Sequence, residues 1–462
     1  MSPGFPVDPY TKAVEMSDVH ARVDANSATC ARSDVLDWCL ADLDEQLGRQ
    51  LDAVLHHPAF QALESTWRGL KFLVDRTDFR QNVSIEVLDV SKEALHHDFD
   101  DAPDIIQSGL FRLTYVGEYD MPGGQPIAAI ISAFEFDHRA PDIALLRNIS
   151  KVAAAAHMPF IGAVSPAFFD KPSMEAVTGI RDLPTWFERA EYLKWKNFRE
   201  TEDARYVALT MPRFLVRLPY GPDTTPVRVF NYTENVREAG RNAYLWTSAA
   251  FALAVNIMRS FVRNGWCVQI RGPQAGGLIE DIPMHRYDLG AGRLGKISTE
   301  ALIPETREHA FADIGLIPLS TTGNHDQACF FSAHSAQHPR VSDPRGASAN
   351  SRINARLPYV FLLSRIAHYL KLIQRENIGT TRDSRLLELE LNTWVKSLVT
   401  EMTDPGDDLQ AAHPLREASV SVQDIEDNPG FFRIKLFIVP HFQVEGVDIN
   451  LSLISQMPKA KQ

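Results

Sequence analysis

Cysteine is scarce in these 462 residues, and the four present, Cys30, Cys39, Cys267 and Cys329, form no Cys-x-x-Cys pair. They are too few for a disulfide framework, and their spacing fits no zinc site. Long apolar runs are missing as well. The most apolar stretch, Val152–Phe169, is broken by His157, Pro159 and Pro166, so it does not read as a membrane span. The first ten residues hold Pro3, Pro6 and Pro9 but no apolar core of a signal peptide. Positive charge is in deficit: 47 Lys and Arg stand against 59 Asp and Glu, a net charge of -12. Such a chain lacks the overall footprint of a protein that binds nucleic acid or an anionic membrane. With 45% hydrophobic residues it has the apolar content of a folded protein, and its length suits about two to four domains. The cytoplasm is the expected location.

Motifs of catalysis are equally thin. Gly272-Pro-Gln-Ala-Gly276-Gly277 is a glycine-rich loop, but it lacks the Lys and Ser/Thr that a P-loop places on phosphates. His334 and His338 share a helical spacing, yet the segment between them lacks the glutamate that a zincin needs, and Pro339 follows. No Gly-x-Ser-x-Gly occurs. The remaining enzyme hypothesis is the Glu135-Phe-Asp137-His138 cluster, where strand alternation puts the two carboxylates on one face and the imidazole on the other.

What is present is a patterned fold. Residues 1–32 are polar and read as an extended arm. Ser33 stands as an N-cap before Val35, Leu36, Leu40, Leu43, Leu47, Leu51, Val54 and Leu55, whose spacing predicts an amphipathic helix ending at His56-His57-Pro58. A second helix is expected over Pro58–Val74, with Phe60, Leu63, Trp67, Leu70 and Leu73 on one face. Strands are expected at Val83–Val90, Ile127–Phe134, Phe160–Val164 and Tyr206–Thr210, with helices at Pro141–Ala156 and Leu245–Asn264, the latter closed by Gly265. This alternation gives an α/β domain over residues 33–337. Residues 338–351, rich in Ser with Pro339, Pro344 and Gly346, read as a linker. Residues 352–462 then carry helices at Arg356–Gln374 and Ser384–Val399, followed by strands at Ala418–Val422, Phe431–Val439 and Val447–Leu453, an α+β pattern. In the last strand Val447, Ile449, Leu451 and Leu453 alternate with polar residues near the chain end, which makes it a candidate for pairing with another chain.

Several blocks resemble the large subunit of the type VI secretion contractile sheath, the TssC/VipB family. They are LDAVLHHPAFQALESTWRGLKFLV (Leu51–Val74), SAFEFDHRAPDIALLRNISKVAAAAHMPFIGAVSP (Ser132–Pro166), ARYVALTMPRFLVRLPYG (Ala204–Gly221), GWCVQIRGPQAGGLIEDIP (Gly265–Pro283) and ARLPYVFLLSRIAHYLK (Ala355–Lys371). The resemblance is collinear from about Val35 to the C-terminus. It implies a contractile-sheath protomer with an α/β N-terminal domain and a C-terminal domain of helices and antiparallel sheet. It implies a mechanical role, with no catalytic residue, metal or cofactor.

The partners implied are a small sheath subunit of the TssB/VipA family, neighbouring sheath subunits, inner-tube hexamers and a baseplate. An AAA+ unfoldase of the ClpV type would recycle the sheath, mainly through the small subunit. The family's helix facing the inner tube matches the segment holding Asp383, Glu388, Glu390 and Trp394, which makes these the candidates for inner-tube attachment. The arm before Val35 is shorter than the family's, so the alternative is a divergent paralogue that caps or regulates assembly.

Overall fold

The structure, a computed structural model, describes residues 28–121, 123–236, 240–288, 294–321, 323–339, 353–376, 384–400, 402, 406–424 and 432–441. The strand expected at Val447–Leu453 and the residue Asp383 lie outside the described residues, as do most of the linker and of the N-terminal arm. The chain divides into two compact units. The first holds the described residues up to Phe60 together with Pro219–Ala243; the second holds Gln61–Leu218 and the described residues from Tyr244 onward.

In the first unit the main element is helix α1, Ala28–Leu55. It starts inside the stretch read as an arm, so Ser33 lies within it rather than capping it. No Gly or Pro interrupts Ala28–Ser33, and the helix continues backward through them. One side of α1 receives the returning segment 219–243. Tyr232 donates its hydroxyl to Asp52 Oδ1 (2.5 Å), and its ring lies against Gly48. The buried carboxylate of Glu234 accepts the Tyr220 N–H (2.9 Å) and sits 3.2 Å from His56 Nε2.

The second unit is built on a parallel sheet. Helix α2 (Pro58–Asp75) crosses the boundary between units and buries Phe72 and Leu73 in the second. The sheet has strands β1 (Ile130–Phe136), β2 (Phe160–Val164), β3 (Val207–Met211) and β4 (Ile317–Pro318), hydrogen-bonded in that order. Helix α3 (Ala140–Ala156) links β1 to β2, and helix α4 (Ala249–Asn264) follows β3. Side-chain alternation sends Phe160, Val164, Val207, Leu209 and Met211 into one core with Ile143, Leu146 and Ile149 of α3. The intervening Ile161 and Ala208 enter a second core with Ala250, Leu253 and Ile257 of α4. Both faces are covered, which explains why Phe-Ile-Gly-Ala-Val reads as a continuous apolar run. The order is monotonic, so there is no reversal point at which an open α/β sheet forms its usual ligand crevice.

Two expected elements differ. Val83–Val90 is extended but pairs with no strand among the described residues; only Ile85 and Val90 reach a core, and Val87 is exposed. Leu245–Thr247 is a short strand against Phe214–Arg217 rather than the first turn of α4, because the Ser248 hydroxyl accepts the Ala250 N–H and starts the helix there. Gly265 closes α4 with φ +76, as its position suggested.

Helix α5 (Glu305–Asp313) precedes β4. Beyond it, helices α6 (Leu357–Glu376) and α7 (Ser384–Lys396) lead to an antiparallel pair, β5 (Leu415–Asp424) and β6 (Phe432–Pro440). Leu357 and Phe361 of α6 join the core under α4, while Leu362, Ile366 and Leu370 join a third core beneath the hairpin. His368 Nε2 meets the carbonyl of Ala156 at 3.1 Å, and Lys371 donates to Ala155 at 3.1 Å. These donors serve the end of α3, whose last carbonyls have no partner within the helix. Burial holds both His157 and His368 down to about 4, with neighbouring cations pushing the same way.

Candidate functional site

The described residues singled out for assembly, Glu388, Glu390 and Trp394, lie on α7, which packs against the hairpin. Leu387, Leu391 and Val395, four residues apart, form the buried stripe of α7. They pack with Ala418, Val420 and Val422 of β5. Beside the stripe stand Glu388 and Asn392, themselves four apart on the same face. Asn392 accepts the Val420 N–H through Oδ1 (2.9 Å) and donates from Nδ2 to the Val420 carbonyl (2.6 Å). Glu388 Oε2 accepts the Val422 N–H (2.9 Å). At the start of β5, Leu415 donates to the Leu398 carbonyl (3.3 Å) and accepts from the Thr400 N–H (3.0 Å). The outer edge of β5 is therefore closed by side chains and by the turn after α7.

That pattern fixes the state of β6. Val420 stands opposite Leu436, Val422 opposite Ile434, and Ala418 opposite Ile438. Backbone groups of Val420 and Val422 point away from β6, so these are the non-hydrogen-bonded pairs of the ladder. By the same geometry Ile434, Leu436 and Ile438 direct their N–H and C=O away from β5. Among the described residues no strand pairs with that edge. Their side chains are half-buried against the third core, whereas Phe437 is exposed on the opposite face. Among the described residues the sheet is closed on one edge and open on the other.

The attachment candidates separate. Glu388 is committed to its own strand. Trp394 is half-buried, its ring tilted over Tyr369 at 5.6 Å. Glu390 lies on the exposed side, near Leu386 and Leu389, which are exposed at 47% and 65%. Sequence reading missed Asn392, although a polar residue flanking an apolar i, i+4, i+8 stripe is a readable signal.

A second surface lies on α1. Leu36, Leu40, Leu43, Leu47 and Val54 are exposed at 49–63%, and with Gln50 they follow the 4-3-4-3-4 spacing of a heptad seam. Of the stripe expected to be core, Leu55 alone is buried.

The rival catalytic cluster is held by structural contacts. Arg213 forms a two-pronged pair with Glu300 (2.9 and 2.7 Å) and lies 3.6 Å from Glu135. Burial raises the Glu135 carboxyl above its usual range, against the pull of Arg213. Asp137 accepts the Arg139 N–H (2.8 Å), and His138 Nδ1 meets the Ala167 carbonyl (2.9 Å) while its ring packs on Tyr192. The glycine loop is closed on Phe330: Gly272 donates to its carbonyl (2.7 Å), and it donates to that of Gly277 (3.0 Å). Gly272 and Gly276 have φ of +73 and +83, and a Cβ on Gly277 would lie 2.5 Å from the Phe330 carbonyl. Among the described residues no group of three or more His, Cys, Asp or Glu is placed to hold a metal, and no helix is long and apolar enough to cross a membrane.

Comparison with known proteins assigns the family. The model described as "EvpB/VC_A0108, tail sheath N-terminal domain" matches residues 37–337, and that described as "EvpB/VC_A0108, tail sheath gpW/gp25-like domain" matches 346–457. The chain belongs to the VipB tail-sheath family. A relative in Pseudomonas aeruginosa, the type VI secretion system sheath protein TssC1, is 40% identical over 429 residues, covering 92% of this chain and 86% of the relative. Solved chains are more distant. One from an anti-feeding prophage baseplate has 11% identity and a TM-score of 0.37 over 79% of this chain and 82% of its own. One from the contracted PVC sheath complex of an extracellular contractile injection system has 9% identity and a TM-score of 0.40 over 74% of each. VipB-family proteins are structural sheath components, and this one is of the large-subunit type found in type VI secretion systems.

Proposed function

We propose that this VipB-family chain pairs with a small sheath subunit, stacks with neighbouring copies into a helical tube around inner-tube hexamers on a baseplate, and repacks on contraction to drive the inner tube into a target cell. The role is mechanical and non-catalytic, and the site of action is the bacterial cytoplasm. The open edge of β6 is the observation that carries the reading. An unpaired row of N–H and C=O groups above half-buried Ile434, Leu436 and Ile438 is a template for a strand that brings alternating apolar side chains. Val447, Ile449, Leu451 and Leu453 of a neighbouring copy have that alternation. The heptad seam of α1 is the proposed seat of the small subunit. Its flanks carry Asp37 and Asp44, so two copies of α1 would repel, and a helix with basic flanks fits better. Glu390 with Leu386 and Leu389 is the part of α7 proposed to face the inner tube. An unfoldase of the ClpV type would dismantle the contracted tube.

The test is co-expression with the small sheath subunit encoded beside it, followed by negative-stain electron microscopy. Cogwheel-ended tubules are expected. Leu436→Pro removes only an N–H that faces the open edge and adds a ring there; it is expected to leave soluble heterodimers without tubules. Heterodimers without tubules from the unaltered chain would instead identify a capping subunit, and no interaction would overturn the sheath reading.

A further inference from the structure

Between β2 and β3 the chain forms a surface that neither the hairpin nor α1 uses. Short helices Met174–Thr178 and Leu183–Phe187 wall an open cleft of about 550 Å³, lined among others by Lys171, Arg181, Asp182, Thr185, Trp186 and Arg189. Three cations gather here against one carboxylate, in a chain with a net charge of -12. That carboxylate is committed elsewhere: Asp182 accepts the Thr185 N–H (3.2 Å) and hydroxyl (2.7 Å). Among the described residues Lys171, Arg181 and Arg189 form no ion pair. Two of them rest on an indole instead. The Arg189 guanidinium lies 3.4 Å and the Lys171 ammonium 4.3 Å from the Trp186 ring centroid. Cation–π contact positions a charge without neutralising it. The indole is fixed in turn, its Nε1 donating to the hydroxyl of fully buried Tyr192 (3.1 Å). Arg307 of α5 ties down the adjoining loop by donating to the carbonyls of Thr178 and Ile180. The cleft thus presents Lys171 and Arg189, held on one indole, beside Arg181, while Asp170 and Glu191 act on Tyr192 behind it from outside the lining.

The same chain carries the complementary feature. Helix Lys92–Asp101 ends in Asp100 and Asp101, and Asp104 follows one turn on, all exposed. Carboxylates at a helix C-terminus face the negative end of the helix dipole, which is an unfavourable place for them. None of the three side chains has a cation or hydrogen-bond donor as partner among the described residues. An acidic knob and a cationic cleft, each unpaired within one chain, satisfy each other between two.

We propose that the cleft formed by Lys171, Arg181 and Arg189 docks the Asp100–Asp101–Asp104 knob of a second copy of this chain. The contact is heterologous, one surface against a different one, and heterologous contacts build rings or open helical arrays rather than a two-fold dimer. The sheath reading supplies its setting, while the contact itself is measurable without tubules. Sedimentation of the full chain in 50 mM and 500 mM salt reads self-association directly. Arg181→Glu with Arg189→Glu, and separately Asp100→Lys with Asp101→Lys, are each expected to weaken self-association at low salt by about tenfold or more. Mixing the two variants makes both contacts of a mixed pair complementary, native cleft to native knob and acidic cleft to basic knob, and is expected to recover association.

All four substitutions are at exposed positions, and an unchanged thermal midpoint confirms the fold. Arg181→Gln, milder at the same place, serves if the double reversal melts early. Unaltered self-association in either reversal, or no recovery on mixing, would overturn the proposal. In co-expression, failure of the unaltered chain to form tubules would strike the sheath reading alone. Tubules from both reversals equal to those of the unaltered chain would strike the docking contact alone.

Discussion

The parallel sheet β1–β4 and the hairpin β5–β6 treat their backbone groups in opposite ways. The parallel sheet is covered on both faces by α3 and α4, and its short last strand ends in Pro318, which has no N–H to offer a further strand. The hairpin has one edge sealed by Glu388, Asn392 and the turn after α7, and its other edge has no partner strand among the described residues. Sealing one edge decides the direction in which a sheet can grow. The comparison teaches that the first sheet serves the permanence of the fold, while the second keeps one edge without a partner strand among the described residues, which is where we propose that another chain adds one. Helix α6 joins them, with side chains in both cores and donors on the end of α3.

Perturbations of the two regions should therefore differ in kind. The largest effect is expected in the parallel sheet's core. Leu146→Ala on α3, at a fully buried site, should lower unfolding free energy by about 2–5 kcal/mol in urea titration. Phe437→Ala, exposed on the hairpin, should change it by less than about 0.5 kcal/mol. Next comes pH, acting where α6 meets α3. His157 and His368 are held at about 4 in the fold against 6.5 in the unfolded chain. The unfolded state takes up more protons between those values, so stability is full above about pH 6.5 and falls progressively toward pH 4. The loss should be on the order of a few kcal/mol, and replacing both histidines with Gln should flatten the profile. Asn392→Ala should cost about 1–3 kcal/mol, because it strips partners from the Val420 N–H and carbonyl. Smallest for the lone chain is Leu43→Gln on the α1 seam, expected within about 0.5 kcal/mol by thermal melting. The same change should abolish co-purification with the small subunit, and retained binding would remove α1 from the proposed interface.

Much of the permanent region was legible in the residues. Phe160–Val164 is apolar throughout because both sheet faces are buried, and Gly265 closes α4 where its position suggested, although the helix starts after Ser248 rather than at Leu245. What was not legible depends on partners distant in the sequence or outside the chain. Periodicity in α1 shows that a stripe is apolar, and an apolar stripe reads as core whether its cover comes from the same chain or another. Glu388 looked like a surface charge because its acceptor role depends on a strand more than thirty residues later, Val422. Val83–Val90 alternates like a strand, but alternation carries no information on whether a partner strand exists within the chain. The Glu135–His138 cluster combined catalytic residue types, and its contacts with Arg213 and Ala167, and that of Arg213 with Glu300, depend on residues far along the chain.

The central claim is that the open edge of β6 receives a strand from a neighbouring chain. Amide hydrogen exchange at Ile434, Leu436 and Ile438, compared between the free chain and assembled tubules, tests it most directly. The account predicts fast exchange at these three amides in the free chain and strong protection after assembly, with Val420 and Val422 protected in both states. Equal exchange at Ile434, Leu436 and Ile438 in the two states would contradict it.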